Sequence, residues 1–440
     1  MTIRDTPRPG VGGGWRLGFL ALVVVVHAGI VASILLQDRP IIWPLHNDTI
    51  HRVGKGADFY AAYHAGMNLN LGRRVYADLP DGVTPYWYPF RYLPVVAVIF
   101  QPLTRLPPAA AWAAWVMAVE LLLIVFVIAL WRRLADLNAR LAVTALLLLN
   151  SPYFLELYMG QFTFAAAVLC YLALWLPAGA VLYSASVLLK PFTLATAPAL
   201  MRRRAYWPHV ALAIVLLLLT SAPYFINYPN QWTFFFETNF RLTGGLHAGN
   251  YGLLRLVKLV VDELGDKASG PLWEALTGLF RVGLLGGTAA LVWLARRESL
   301  WAGVAALMLA HFVTYQHVWE HHLSAVSVIG ATLLLLPDAS GRFKLLVLAS
   351  LALLALPTPF GIFDVARDPA VFDPSLDWPM WQSFLVAAPK VFPVLALYTA
   401  ALLCLLRSGL RSPAAALLQR ASVLRRAGQG SANPQPRESS

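Results

Sequence analysis

The sequence predicts an all-α polytopic membrane protein of about twelve transmembrane helices with a large first external loop. Three observations carry this. The 440 residues are 58% hydrophobic and only 13% charged, against roughly 25% charged in a soluble domain. The mean hydropathy is +0.62, and several apolar runs approach the roughly 20 residues needed to cross a bilayer. The basic residues fall in short clusters between those runs, where the positive-inside rule puts them. Lipid offers the backbone no hydrogen bonds, so the spans are helices rather than open strands. The net charge of +12 therefore belongs to cytoplasmic loops and does not point to nucleic acid. Cys170 and Cys404 both sit in apolar runs and read as small buried hydrophobes, not as a disulfide or metal pair.

Residues 1–14, rich in Pro and Gly, read as a disordered cytoplasmic N-terminus. Residues 15–407 read as a single membrane-embedded domain, and residues 408–440 as a disordered basic cytoplasmic tail. Leu17–Leu36 is the first span; it exceeds the usual apolar core of a signal peptide, about 7–15 residues. The large external loop covers residues 37–91, and Tyr92–Pro102 is too short to span and reads as re-entrant or interfacial.

Trp112–Trp131 ends at Arg132 and Arg133. Leu141–Pro152 returns outward, with Ser151–Gln161 as a short external turn, and Phe162–Leu176 goes inward. Two short helices meet at Lys190-Pro191, because proline cannot donate to the helix ladder. Further external segments fall at residues 226–272 and 358–385. The clusters at 132–140, 202–204, 296–297, 342–344 and 407–426 all land on the cytoplasmic side. That places Asp58, Gln161, Lys190 and the histidines near residue 320 at the opposite face.

The polar stretch from Ala57 to Pro94 stands out against so much apolar sequence, and is where chemistry is expected. It holds Asp58-Phe59, Tyr60-Ala61-Ala62-Tyr63, a Gly72-to-Tyr76 turn and Tyr88-Pro89. Downstream come Gly160-Gln161, Lys190-Pro191, Gly249-Asn250 and Trp319-x-His321-His322. Together these resemble glycosyltransferase family 87, the polyprenyl-phosphate-mannose-dependent mannosyltransferases, over roughly residues 15–405. Phe90 stands where the family commonly has a second proline, and Thr163 where it usually has asparagine. The resemblance implies a C-type glycosyltransferase fold, with the active site at the outer membrane face.

That chemistry needs a base for the acceptor hydroxyl and positive charge or hydrogen-bond donors for the departing lipid phosphate. Asp58 is the candidate base; the bland alternative is an acid that caps the helix after it. Lys190, costly between two apolar half-helices, is the candidate phosphate contact, with a snorkelling lysine as the alternative. His322 and His321 are candidates for phosphate or acceptor, Arg73 and Arg74 for phosphate, and Gln161, Asn250 and Tyr63 for substrate binding. Glu120 lies mid-span, either functional or paired with Arg281 or a backbone group. His317-Val-Trp-Glu-His321 matches the zinc-protease pattern H-x-x-E-H, but no third ligand is evident. The external segments carry no Asp-x-Asp-like pair, so neither a tightly bound metal nor another cofactor is expected.

The expected function is transfer of a hexose, mannose foremost, from a polyprenyl-phosphate donor to a lipid or glycan acceptor. The place is the outer face of a bacterial inner membrane. An arabinofuranosyltransferase of the same architecture is the first alternative. A lipid-linked-sugar transporter or flippase is the second, and it would carry ionisable residues through the midplane, often on inverted repeats. Here the polar residues crowd at one face.

Overall fold

The computed structural model describes residues 14–43, 54–76, 89–240, 250–263, 270–295, 300–336, 340–358 and 378–407. Among the described residues the chain is helical with no β-strand, and Asn250 and Trp319 form an isolated antiparallel bridge. Among the described residues six helices are long and apolar enough to cross a membrane: Gly14–Leu36, Pro108–Trp131, Leu137–Met159, Arg204–Asn227, Gly270–Leu294 and Met380–Arg407. This is a polytopic membrane protein.

These six do not confirm the expected dozen. The remaining apolar runs are cut short by proline, glycine and polar residues. Thr163–Trp175 has 13 residues, Gly179–Leu189 and Leu323–Leu333 have 11 each, and Leu300–Thr314 and Gly341–Ala355 have 15 each. At about 1.5 Å per residue these reach only about 16–22 Å, short of a hydrocarbon core of about 30 Å. Leu323–Leu333 is packed inside the bundle, every residue buried, whereas Gly341–Ala355 keeps Leu345, Leu346 and Leu353 exposed.

A second correction concerns Ser151–Gln161, expected as an external turn. It is helix from Ser151 to Met159, and all nine residues are buried. Asn150 caps it, its side chain accepting from Tyr153 N–H, and Pro152 occupies the first turn, where a missing N–H costs nothing.

The elements used below are α1 (Gly14–Leu36), α2 (Ala57–Asn70), α3 (Pro94–Phe100), α4 (Pro108–Trp131), α5 (Leu137–Leu148) and α6 (Ser151–Met159). Helix α2 belongs to the predicted external loop but is no solvated loop: residues 57–66 are all buried. It sits across one end of α1, α4 and α6. Lys55 Nζ donates to the carbonyls of Leu35 and Gln37, each at 3.2 Å. Gly56 N–H donates to Tyr158 O at 2.8 Å, and Tyr63 Oη–H to Leu106 O at 2.8 Å. Helix α3 is only 7 residues long and packs beneath α2, where the backbone of Gln101 lies against Gly66. The opposite end of the bundle carries Arg132, Arg133 and Arg140, beside a Trp131-to-Thr144 hydrogen bond of 2.6 Å. Tyr86, Trp87, Tyr88, Arg296, Arg297, Gly249, nearly all of residues 1–14 and the tail from 408 lie outside the described residues.

Candidate active site

Asp58 lies in the first turn of α2, where the helix dipole favours a negative charge. It does not cap the helix: the N-cap is Gly56, in the left-handed region at φ 76°, with no side-chain cap bond. A side chain at Gly56 would meet the Tyr60 ring at 2.6 Å, so glycine is required there. The Asp58 side chain is therefore left for another task. It is 8% exposed; Oδ1 accepts from Tyr92 Oη–H at 3.3 Å, and Oδ2 has no hydrogen-bond partner among the described residues.

Gly160 brings the next group into place. It ends α6 in the left-handed region, φ 68°. A Cβ there would stand 2.5 Å from Cβ of Phe59. This close approach sets Gln161 against the start of α2. Gln161 Oε1 accepts from Tyr92 Oη–H at 3.2 Å and from Lys190 Nζ at 3.2 Å.

Lys190 is the residue at which the Gly179–Leu189 helix stops before Pro191; its backbone is extended, φ −153°. Nζ donates to Thr163 Oγ1 at 2.5 Å and lies 3.2 Å from Nε2 of His322. The charges of Asp58 and Glu156 flank it. Lys190 is therefore not a snorkelling lysine but the centre of a polar cluster. Thr163, noted above as a departure from the family pattern, supplies one of its contacts.

His322 closes the cluster. It sits in the one-turn helix Glu320–His322, outside the spanning helices, and its Nδ1 accepts Trp319 N–H at 3.1 Å. Burial first, then the Lys190 charge, pushes its pKa well below the ordinary value, so the ring is neutral. A neutral ring that accepts at Nδ1 carries its proton on Nε2. Nε2–H and the Lys190 ammonium are then two donors 3.2 Å apart. His321 packs beside it, ring centroids 4.3 Å apart, and its two ring nitrogens have no hydrogen-bond partner among the described residues.

The pKa of Asp58 is raised by burial and pulled back by the Lys190 charge. The result is a carboxylate more basic than one in water. Arg91 adds to the positive field at Asp58 and Tyr315, and Arg281 to that at Tyr315 and His311.

A model of glycosyltransferase family 87 matches residues 90–316, just over half of the chain. The chain belongs to glycosyltransferase family 87. No curated protein and no solved structure matches it significantly. The matched stretch of this family 87 glycosyltransferase holds Tyr92, Gln161, Thr163 and Lys190; Asp58 precedes it, and His321 and His322 follow it.

Other sequence candidates of the family 87 chain lie apart from this cluster. Asn250 is fully buried and occupied: Oδ1 accepts from Gly252 N–H (2.9 Å) and Val318 N–H (3.0 Å), and Nδ2 donates to Gln316 O (2.6 Å). It holds the segment before the histidines. The Tyr63 hydroxyl is committed to the Leu106 carbonyl. Arg73 and Arg74 are exposed, Arg74 over the Tyr228 ring at 5.6 Å.

Glu120 does not meet Arg281, which donates to Gln316 Oε1 at 2.8 Å. Glu120 instead accepts from Tyr153 Oη–H at 2.8 Å and faces His27 Nε2 at 2.9 Å. Glu320 turns away from the histidines to accept from Thr358 Oγ1–H at 2.8 Å, with Lys390 Nζ at 3.8 Å. Among the described residues no three His, Cys, Asp or Glu side chains are grouped to hold a metal, which leaves the H-x-x-E-H reading without a site.

Sequence reasoning missed Tyr92 and Glu156. Glu156 lies behind Lys190, its Oε1 accepting Phe164 N–H at 2.5 Å and its Oε2 bonded by the Ser324 hydroxyl. An acid in the otherwise apolar run Ser151–Met159 was the available signal.

Proposed function

We propose that this glycosyltransferase moves a hexose, mannose foremost, from a polyprenyl phosphate to a hydroxyl of a lipid or glycan acceptor. Asp58 takes the acceptor proton as that oxygen attacks the anomeric carbon. The bond from this carbon to the phosphate oxygen breaks, and its electron pair leaves with the lipid phosphate. The Lys190 ammonium and His322 Nε2–H stabilise that anion. One carboxylate suffices for a single inverting displacement, since no covalent intermediate has to be made and broken.

The observation that carries this reading is the proximity of Lys190 Nζ and His322 Nε2 beside Gln161 and Asp58. Two donors 3.2 Å apart suit a phosphate oxygen, and the free Oδ2 of Asp58 suits a hydroxyl proton. Arg91 and Arg281 extend the positive field toward the phosphate. The donor's prenyl chain stays in the bilayer while its head group reaches α2. The basic cluster at 132–140 supports a cytoplasmic setting for the other end of the bundle, with α2 facing the periplasm of a bacterial inner membrane. The buried helix following the first span agrees with the C-type architecture.

The test uses membranes containing the protein and a radiolabelled polyprenyl-phosphate-mannose donor. Label should pass to a new lipid or glycan with the wild type and not with Asp58→Asn. Transfer surviving Asp58→Asn rejects the role of Asp58; transfer only from a pentose donor rejects the hexose.

A further inference from the structure

A cavity of about 990 Å³ lies between α1 and α4, lined also by α5, at the upper end of the usual range for ligand pockets, roughly 300–1,000 Å³. Helix α1 packs on α5 and α6 and leaves this space toward α4. The walls are hydrocarbon: Val24, Ala28 and Ala32 on one side, Met117, Ile124 and Ile128 on the other. All six are exposed, so the groove faces the bilayer.

Polar groups occur at two levels. At mid-groove His27 Nδ1–H donates to Leu148 O at 2.7 Å, and Nε2 faces Glu120 at 2.9 Å. The carbonyl can only accept, so one proton is shared between Nε2 and the carboxylate and the pair is net neutral. Tyr153 Oη–H satisfies the other carboxylate oxygen. This level therefore offers no net charge to a hydrocarbon chain lying over it.

The second level is the mouth, at the end of the bundle away from Asp58. Arg132 and Arg140 line it. Arg132 is exposed and has no partner among the described residues; Arg140 donates through Nε to Leu134 O at 2.6 Å. The neighbouring acid, Asp136, is occupied as a helix cap, accepting from the N–H groups of Asn138 and Ala139. Arg133 turns elsewhere, its guanidinium 4.5 Å over the Trp175 ring.

We propose that this groove binds an anionic glycerophospholipid, its phosphate between Arg132 and Arg140 and its acyl chains along α1 and α4. Basic pockets between membrane helices recognise lipid head groups in this way, and guanidinium groups match phosphate oxygens in pairs. The site is separate from the sugar-transfer cluster.

The test is native mass spectrometry of the full chain after reconstitution with equal phosphatidylglycerol and phosphatidylcholine. The wild type should retain phosphatidylglycerol by roughly tenfold or more, the scale of two basic residues beside a phosphate. Arg132→Ala with Arg140→Ala should bring the two lipids to parity. Ala28→Trp, which fills the groove from an exposed position, should lose both, and Arg133→Ala should change nothing. Parity in the wild type, preference surviving the double change, an equal loss with Arg133→Ala, or lipid retained by Ala28→Trp would each overturn the proposal. So would added polyprenyl phosphate displacing the phosphatidylglycerol.

Discussion

Lys190 Nζ lies 3.2 Å from His322 Nε2 and 3.2 Å from Gln161 Oε1, tying three separate segments to one amine. Through Tyr92, which bonds both Gln161 and Asp58, the amine is linked to the carboxylate of α2. Asp58, Tyr92, Gln161 and Lys190 thus form one hydrogen-bonded unit, with His322 Nε2 beside the amine at 3.2 Å.

Asp58→Asn should lower the transfer rate by about 10²–10⁴-fold, the usual contribution of a placed base. The protein should remain folded, because the hydrogen bond the carboxylate accepts from Tyr92 is long, 3.3 Å, and an amide oxygen can accept it as well. A radiolabel transfer assay paired with a thermal melt checks both; loss of the melt would make Asp58 structural instead.

Lys190→Met should move the acid limb of the rate profile to higher pH. As the proposed base Asp58 works deprotonated; burial raises its pKa, and the Lys190 charge opposes that rise. Without the charge the pKa rises further, so activity is lost at a higher pH on acidification. A limb that stays in place, measured as the transfer rate across pH, would separate Lys190 from Asp58 electrostatically.

Gly160→Ala should damage activity and stability together. The new Cβ meets Phe59 at 2.5 Å, from a backbone at φ 68°, and the combined strain and overpacking cost about 1–3 kcal/mol or more. Gly72 is the control, at φ 65° with nothing within 4 Å. Gly72→Ala should cost about 1–2 kcal/mol of stability and leave the transfer rate of the folded protein unchanged.

Asn250→Ala should lower the melting temperature with little change in KM for the donor. It strands two buried N–H groups and a carbonyl, each costing about 1–3 kcal/mol. A raised KM with an unchanged melt would instead make Asn250 a sugar ligand.

Much of this was legible in the sequence, for reasons specific to each residue. Asp58 and Lys190 are charges in apolar surroundings, and such charges need a partner. Lys190-Pro191 announced its own helix break. Composition cannot measure helix length, so apolar runs interrupted inside the bundle, such as Leu323–Leu333, looked like spans. Tyr92 and Glu156 were missed because one aromatic or one acid acquires meaning only from its neighbours in space. Asn250 was misleading in the other direction: a polar residue beside glycine looks free for a ligand until its three backbone partners are seen.

The cluster is drawn from both ends of the chain, with Asp58 made early and His322 late. A ribosome delivers the carboxylate first, and nearly all of the membrane helices must be inserted before the imidazole arrives. An unfinished chain therefore holds Asp58 without the complete cluster. The cluster is completed as one of the last events of biogenesis, and a stalled or truncated product lacks it.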